Sequence, residues 1–213
     1  MSWETSIKGF KSYLQIERSL SDNSVQAYIR DVKKFANYAI PLDLSELKIT
    51  RDNISNFLAE IKENNISARS QARIISGIKA FYKYLIMEDY VKINPTDLIE
   101  SPKIGLKLPD AISLIEIDKL IAAVDLSNKQ GERNKAILET LYSCGLRVSE
   151  LVNLQLSNIH FKEGYLKVIG KGNKERLAPI GGRAIKYLTI YINEVRNHQE
   201  IKKGHEDFVF LNN

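Results

Sequence analysis

The residues with the most obvious chemical potential are one arginine and one lysine in two short, distinctive segments. Arg147 lies in Gly145-Leu146-Arg147-Val148-Ser149-Glu150, between the end of one helical pattern and the start of the next, and it reads as buried. Lys171 lies in Val168-Ile169-Gly170-Lys171-Gly172-Asn173-Lys174-Glu175-Arg176, at the tip of a basic hairpin. A guanidinium is a rigid fork of donors that fits phosphate oxygens in a bidentate way. An ammonium is a movable point charge, and cations nearby suit it to act as a general acid toward a departing oxygen. Lys174 and Arg176 supply such cations and strengthen the case for phosphate contact. Glu150, three residues after Arg147, is placed to hold that side chain or a neighbouring backbone amide. Plainer readings stand beside these. The same spacing fits a structural Arg–Glu pair, and a lysine between glycines is common in surface turns.

Other chemistries find little support. No Gly-x-x-x-x-Gly-Lys-Ser/Thr stretch is present to cradle nucleotide phosphates. His160, His198 and His205 are scattered without zinc-ligand spacing. No carboxylate pair stands out as a two-metal site. The expectation is therefore no metal and no cofactor. Cys144 is the single cysteine, which excludes an internal disulfide framework and fits a reducing cytosol. With no histidine paired to it, Cys144 reads as a small buried residue beside Gly145.

The formal net charge is +5, compatible with nucleic acid without requiring it. Placement says more. Lys162, Lys167, Lys171, Lys174, Arg176, Arg183 and Lys186 fall in one stretch with only Glu163 and Glu175 opposing them. A solvated lysine-rich face is the alternative. No apolar run approaches the roughly 20 residues of a membrane span, and the N-terminus lacks a signal-peptide layout, so a cytoplasmic location is expected.

The elements that must carry these residues read as helices for the first hundred positions. Helical apolar spacing runs from Trp3 to Glu17 and from about Ser24 to Tyr38. Thr50 opens a third helix through Phe57 and Ile61, and a fourth runs from about Ser67 to Met87. Gln26, Arg30 and Lys33 share the polar face of the second helix. Arg69, Arg73 and Ser76 share that of the fourth, with Lys79 at its border. Any surface helix shows a polar face. Here the mix of Arg, Lys, Ser and Gln with few acids is the chemistry that touches phosphates and base edges.

Asn94-Pro95, Ser101-Pro102 and Leu108-Pro109 then break the pattern, giving an extended linker over about 93–110 that carries Lys103 and Lys107. Ser113-Leu114-Ile115-Glu116 has capping-box spacing and opens a helix through Leu120 and Val124. A helix over about 133–143 ends at Gly145 in a left-handed turn. A short helix follows over 149–154. Three strands are expected at 159–161, 165–169 and 176–180, then a final helix over about 183–197. The fold class is mainly α with a small antiparallel sheet. It divides into a helical domain over 1–92, the linker over 93–110 and an α+β domain over 111–213.

With these motifs in hand, the chain resembles the tyrosine recombinases of the phage integrase family, Xer type. The likeness rests on the Arg147 and Lys171 segments together. Ser24-Val25-Gln26-Ala27-Tyr28-Ile29-Arg30-Asp31, the stretch 74–85, and the passage from Asn94-Pro95 to Ser101-Pro102-Lys103 extend it over nearly the whole chain. The resemblance implies a helical, SAM-like core-binding domain followed by part of an α+β catalytic domain, closing as a clamp on double-stranded DNA. It implies site-specific recombination through a 3′-phosphotyrosyl link, with sister subunits forming a tetramer on DNA and a role such as chromosome partition. By position, Arg147 becomes the first catalytic arginine, Lys171 the proton donor to the leaving 5′-oxygen, and Glu150 the support of the arginine. The polar faces and the basic hairpin already point to DNA contact by Gln26, Arg30, Lys33, Arg69, Arg73, Ser76, Lys79, Lys174 and Arg176, and the clamp gives them their place. The family completes its site with a His/Lys-x-x-Arg motif and a nucleophilic tyrosine. No histidine here has arginine at the third following position, and the last tyrosine, Tyr191, falls in what reads as an ordinary helix. The stretch from Asp207 reads as a strand and loop. The expectation is that this chain alone forms no covalent DNA adduct. The alternatives are an inactive duplex-binding fragment and the integrase of a mobile element. A helical protein–protein module is a further alternative, disfavoured by the hairpin.

Overall fold

Polar caps and apolar periods set the helices of the first hundred residues. The computed structural model describes residues 2–105 and 110–211, and of Lys171 only the backbone. In it α1 (Trp3–Ile16), α2 (Asp22–Ala39), α3 (Arg51–Glu63) and α4 (Ala68–Met87) follow in order. Thr50 starts α3 with a capping box: its hydroxyl accepts the Asn53 N–H, and the Asn53 side chain accepts the Thr50 N–H. Two donors that a helix start leaves open are thereby satisfied. Ser2 and Ser67 cap α1 and α4 in the simpler way. The α2 start differs. Its N-cap Ser21 makes no cap bond to the backbone and meets the Ser24 hydroxyl at 3.0 Å instead.

These helices enclose one aromatic-rich core. Phe10, Phe35, Phe57, Phe81 and Tyr82 are fully buried. Each such side chain stabilises the fold by about 1.5–3 kcal/mol through the apolar surface it removes from water. Trp3 stacks on Phe81 and meets Phe35 edge-on. The inner face of α4 is centred on Ile74, Ile75, Ile78, Phe81 and Leu85. Ala68, in its first turn, is exposed. Helices α2 and α4 pack against each other where Gly77 faces Asp31. A Cβ on Gly77 would stand 2.7 Å from the Asp31 Cβ, so only glycine allows this approach. Beyond α4, Asn94 Oδ1 accepts both the N–H and the hydroxyl of Thr96, and Ile99 joins the core. The proline-bearing stretch thus stays on the first unit through Ile99. Lys103 is exposed, and the part of the expected linker holding Lys107 lies outside the described residues.

The chain divides into two compact units, Met1–Leu108 and Pro109–Asn213. In the second, the Ser113–Glu116 capping box starts α5 (Leu114–Ala122), which ends two residues short of Val124. Then come α6 (Gly131–Cys144) and α7 (Val148–Val152). Gly145 joins them at φ 56°, in the left-handed region that glycine enters without strain. Three antiparallel strands follow in spatial order β1 (Ile159–His160), β2 (Tyr165–Ile169) and β3 (Glu175–Pro179). Tyr165 pairs with Pro179 and Ile169 with Glu175. Leu166 and Val168 of β2 point inward to a core with Leu151, Leu154, Ala178, Leu188 and Tyr191. Cys144 is buried, as its neighbourhood suggested.

The last helix is shorter than its apolar pattern predicts. α8 (Gly182–Ile190) gives way to a π turn over Tyr191–Val195 and a 3₁₀ turn over Arg196–His198. Tertiary anchors explain the change. The Tyr191 hydroxyl accepts the Leu211 N–H at 3.2 Å, and Arg196 donates to the carbonyls of Phe208 and Glu206. A wider turn re-aims these side chains toward the final segment. That segment is no strand: it makes a single bridge, Gln155 to Phe208, with backbone bonds from the Leu156 N–H to the Asp207 carbonyl and from the Val209 N–H to the Leu154 carbonyl, and the side-chain anchors add to these.

Candidate nucleic-acid interface

Arg147 owes its position to the break at Gly145. The left-handed glycine ends α6, Leu146 drops into the core, and Arg147 takes an extended backbone as the N-cap of α7. Glu150 then stands one turn on and faces back. Its Oε2 accepts the Arg147 backbone N–H at 2.9 Å, and its Oε1 accepts from Arg147 Nη1 at 2.8 Å. Both roles allowed by the spacing, holding the side chain and holding the amide, are filled by one carboxylate.

A third donor reaches the same carboxylate. Arg176, on β3, donates from Nη2 to Glu150 Oε2 at 2.8 Å and to the Gly145 carbonyl at 3.3 Å. The Glu150 side chain is 1% exposed. The Arg147 amide chiefly, helped by both guanidinium groups against the opposing effect of burial, holds its carboxyl down at about 2. It is therefore ionised at neutral pH. Arg147 itself is not buried: 70% of its side chain faces solvent. The carboxylate takes the interior place and the cation projects from it, which leaves most of the guanidinium donors free to meet an anion.

The hairpin is seated on the same carboxylate. The Gly170 N–H donates to the Lys174 carbonyl at 2.8 Å, and the tip turns through Gly172 and Asn173 at φ 73° and 59°. A Cβ on Gly170 would come within 3.1 Å of Glu150 Oε1. The sheet thus brings the base of the Lys171 turn beside the Arg147–Glu150 pair. The Lys171 side chain lies outside the described residues. Lys174 is exposed.

In the first unit, Gln26, Arg30 and Lys33 are exposed and line a shallow groove on α2 with Lys34 and Asn37. Arg69 is exposed on α4, and Lys79 is half-buried at the border of that face. Ser76 is exposed but turns its hydroxyl to the Ala72 carbonyl at 2.9 Å. Arg73 is ion-paired with Asp31, whose side chain is 4% exposed. Burial pushes the Asp31 carboxyl up, while Arg73, Arg30 and Lys34 pull it down. In the second unit, Arg183 is spoken for: it bonds Asp118 at 2.7 Å and Glu139 at 2.7 Å. Sequence reasoning passed over Asp31 and Glu139. Both are acids buried in helices, and their arginine partners lie 42 and 44 residues away. No local signal joins such pairs.

His160 stacks on Tyr165, and the His205 ring lies tilted against Phe208. Among the described residues no group of three or more His, Cys, Asp or Glu could hold a metal ion, and no helix is long and apolar enough to cross a membrane.

Comparison with known proteins agrees with this layout. Residues 7–89 match the phage integrase N-terminal SAM-like domain, and residues 112–213 match the phage integrase family. Tyrosine recombinase XerD of Staphylococcus haemolyticus (strain JCSC1435) is 40% identical over 210 residues, covering 98% of this chain and 71% of the relative. XerD of Staphylococcus aureus (strain Mu50 / ATCC 700699) is similar to the same extent. Among solved structures, the XerH site-specific recombinase in a pre-cleavage complex with its difH substrate covers the whole chain at TM-score 0.73 and 19% identity, and 62% of that protein is matched. A lambda integrase dimer bound to a COC′ core site covers 89% of the chain at TM-score 0.71 and 19% identity, with 68% of that protein matched. At such identities the structural likeness is one of fold.

Proposed function

The chain belongs to the tyrosine recombinases of the phage integrase family, and on that premise we propose that it acts in site-specific DNA recombination, gripping duplex DNA and addressing Arg147 and Lys171 to the scissile phosphate. The observation that carries this reading is the shared carboxylate. Glu150 orients Arg147 from below while 70% of the guanidinium side chain stays open. A planar fork held in this way meets the non-bridging oxygens of a phosphodiester with little orientational freedom left to lose. Two arginines on one carboxylate also leave an excess positive charge. That charge favours the extra negative charge of a phosphoryl transition state. Lys171, carried on the hairpin seated against Glu150, is the proton donor to the leaving oxygen in this proposal. The helical unit supplies the rest of the grip through Gln26, Arg30, Lys33, Arg69, Arg73, Ser76 and Lys79, and Lys174 adds a contact from the hairpin. Further recombinase subunits on the same DNA are the partners, as in the lambda integrase tetramer on a Holliday junction.

Two measurements test this. The chain should bind duplex DNA with an affinity that falls steeply with salt, since each neutralised phosphate releases counterions. An affinity that does not change between low and moderate salt would defeat the reading. The catalytic part is tested in a chimera with these residues in place of the matching 71% of the Staphylococcus haemolyticus XerD. There Arg147→Ala should lower cleavage by about a hundredfold or more while barely changing binding. Equal losses in cleavage and binding would make Arg147 a positioning residue only.

A further inference from the structure

We propose that Arg73 reads a base edge in the DNA major groove and is not one of the phosphate contacts. The proposal rests on the duplex-binding function just given and deepens it. Arg73 stands on the polar face of α4, where its charge is matched by Asp31 of α2. The Asp31 side chain is 4% exposed, whereas that of Arg73 is 48% exposed. The carboxylate is therefore fixed inside the helix pair and the guanidinium is fixed by it at the surface. Gly77 sharpens the arrangement, because α2 and α4 approach so closely there that the Asp31 side chain has little room to move.

Only Nη1 of Arg73 is engaged, and among the described residues its remaining donors have no protein partner. Arg73 is thus a group with its net charge cancelled and its directional donors left free. Phosphate contact is mainly electrostatic and rewards uncompensated cations. Arg30, Lys33 and Arg69 are exposed and without an ion-pair partner among the described residues, so they fit that task. Reading a base rewards fixed donor geometry more than charge. Guanine offers two neutral acceptors, O6 and N7, to an arginine fork in the major groove. A neutralised, braced arginine on the same face as free cations has the properties that task needs.

The two tasks separate in experiment. The intact chain is bound to a pool of randomised duplexes, the preferred sequence is read out, and affinity for it is measured against salt. Arg73→Gln should leave the slope of log affinity against log salt unchanged, because the buried Asp31 carboxyl, left without its cation, takes up a proton and the cluster stays neutral. It should also abolish the preference at one base pair, a loss of about fivefold or more in discrimination at that position. Arg30→Ala and Lys33→Ala should each flatten the slope by about 0.9 and keep every base preference. Asp31→Asn, by contrast, should change the charge: the slope steepens by about 0.9 as Arg73 becomes a free cation, and preference at its position weakens. Trp3 fluorescence checks that the first unit remains folded in each variant; if Asp31→Asn fails to fold, Arg73→Gln and Arg73→Lys carry the test. An Arg73→Gln variant that flattens the salt slope and keeps all base preferences overturns the proposal and leaves DNA binding standing. A wild-type chain that binds with no base preference at any position does the same. A chain that binds no duplex overturns both readings together.

Discussion

Replacing Glu150 by glutamine should unfasten Arg147 while leaving the rest of its surroundings in place. Glu150 Oε2 accepts two bonds, from the Arg147 N–H and from Arg176 Nη2, whereas Oε1 accepts one, from Arg147 Nη1. A glutamine keeps one acceptor oxygen, which belongs at the site with two donors. Its NH₂ then faces Arg147 Nη1, donor against donor, and the guanidinium swings free. The magnitude follows from the carboxyl's own titration. Its depression from 4.5 to about 2 corresponds to about 3 kcal/mol of extra stability in the ionised form, at roughly 1.4 kcal/mol for each tenfold. The variant keeps part of this through its oxygen, so a loss of about 2 kcal/mol at pH 7 is expected.

The sign with pH is definite. A carboxyl lowered on folding stabilises fully above its unfolded value and loses that contribution as pH falls toward its folded value. The stability gap between wild type and Glu150→Gln should therefore be constant from neutral pH to about pH 5 and shrink to less than half near pH 3. Glu116, Asp125, Glu206 and Asp207 are also lowered by hydrogen bonds, chiefly from Ser113, Ser127, the Glu206 backbone and Ser157. Their acid sensitivity is common to both proteins and cancels in the comparison. The assay is urea unfolding by far-ultraviolet circular dichroism across that range. Trp3, the sole tryptophan, lies in the first unit. Its fluorescence transition is the internal control and should not move. A gap that stays constant down to pH 3 would refute the assignment of Glu150 as the ionised anchor of Arg147.

Two glycine substitutions probe the other claims about geometry. Gly77→Ala must push Asp31 and with it α2 away from α4, at a cost of about 1–3 kcal/mol from overpacking; the Trp3 transition should move to lower urea, and an unchanged midpoint would deny the close approach. Gly145→Ala meets no neighbour within 4 Å, so its cost is the left-handed backbone alone, about 1 kcal/mol. Gly145→Asn should be milder, because asparagine tolerates that region, and an alanine variant as stable as wild type would contradict the φ of 56°.

Much of the fold was legible because its signals are local. The capping box at Ser113 and Glu116 is a spacing of three, and the end of α6 is a single glycine. The three strands and their turns follow from residue types within twenty positions. What escaped depends on residues far apart in the chain. The π turn at Tyr191 exists to meet the Leu211 amide, 20 residues on. The apolar pattern alone continues the helix past it. The basic run predicts a nucleic-acid contact for Arg176 and carries no sign of its bond to Glu150. In the fold it is 26 residues from Glu150 and bonded to it, through a hairpin register that the sequence does not state.

Among the described residues the same physical device occurs three times, and it explains why the site was only half readable. In each case a buried carboxylate sits beneath an arginine that reaches the surface: Asp31 under Arg73, Glu150 under Arg147 and Arg176, Glu139 under Arg183. A carboxylate is compact and tolerates burial once its oxygens are bonded, while an arginine spans from interior to solvent along its stem. Residue type alone assigns burial the wrong way round, which is how Arg147 came to read as interior and Asp31 went unnoticed. The charge within each cluster then distinguishes arginines that look alike in sequence. Arg183 meets two carboxylates, Asp118 and Glu139, so its positive charge is exceeded and it braces α5 and α6 against the start of α8. Arg73 meets one carboxylate alone and keeps free donors without free charge. Arg147 and Arg176 share one carboxylate, so of these three clusters it is the one that retains positive charge, and it does so with an open guanidinium beside the hairpin. Of the three, the Glu150 cluster has the charge that suits a phosphodiester about to gain negative charge.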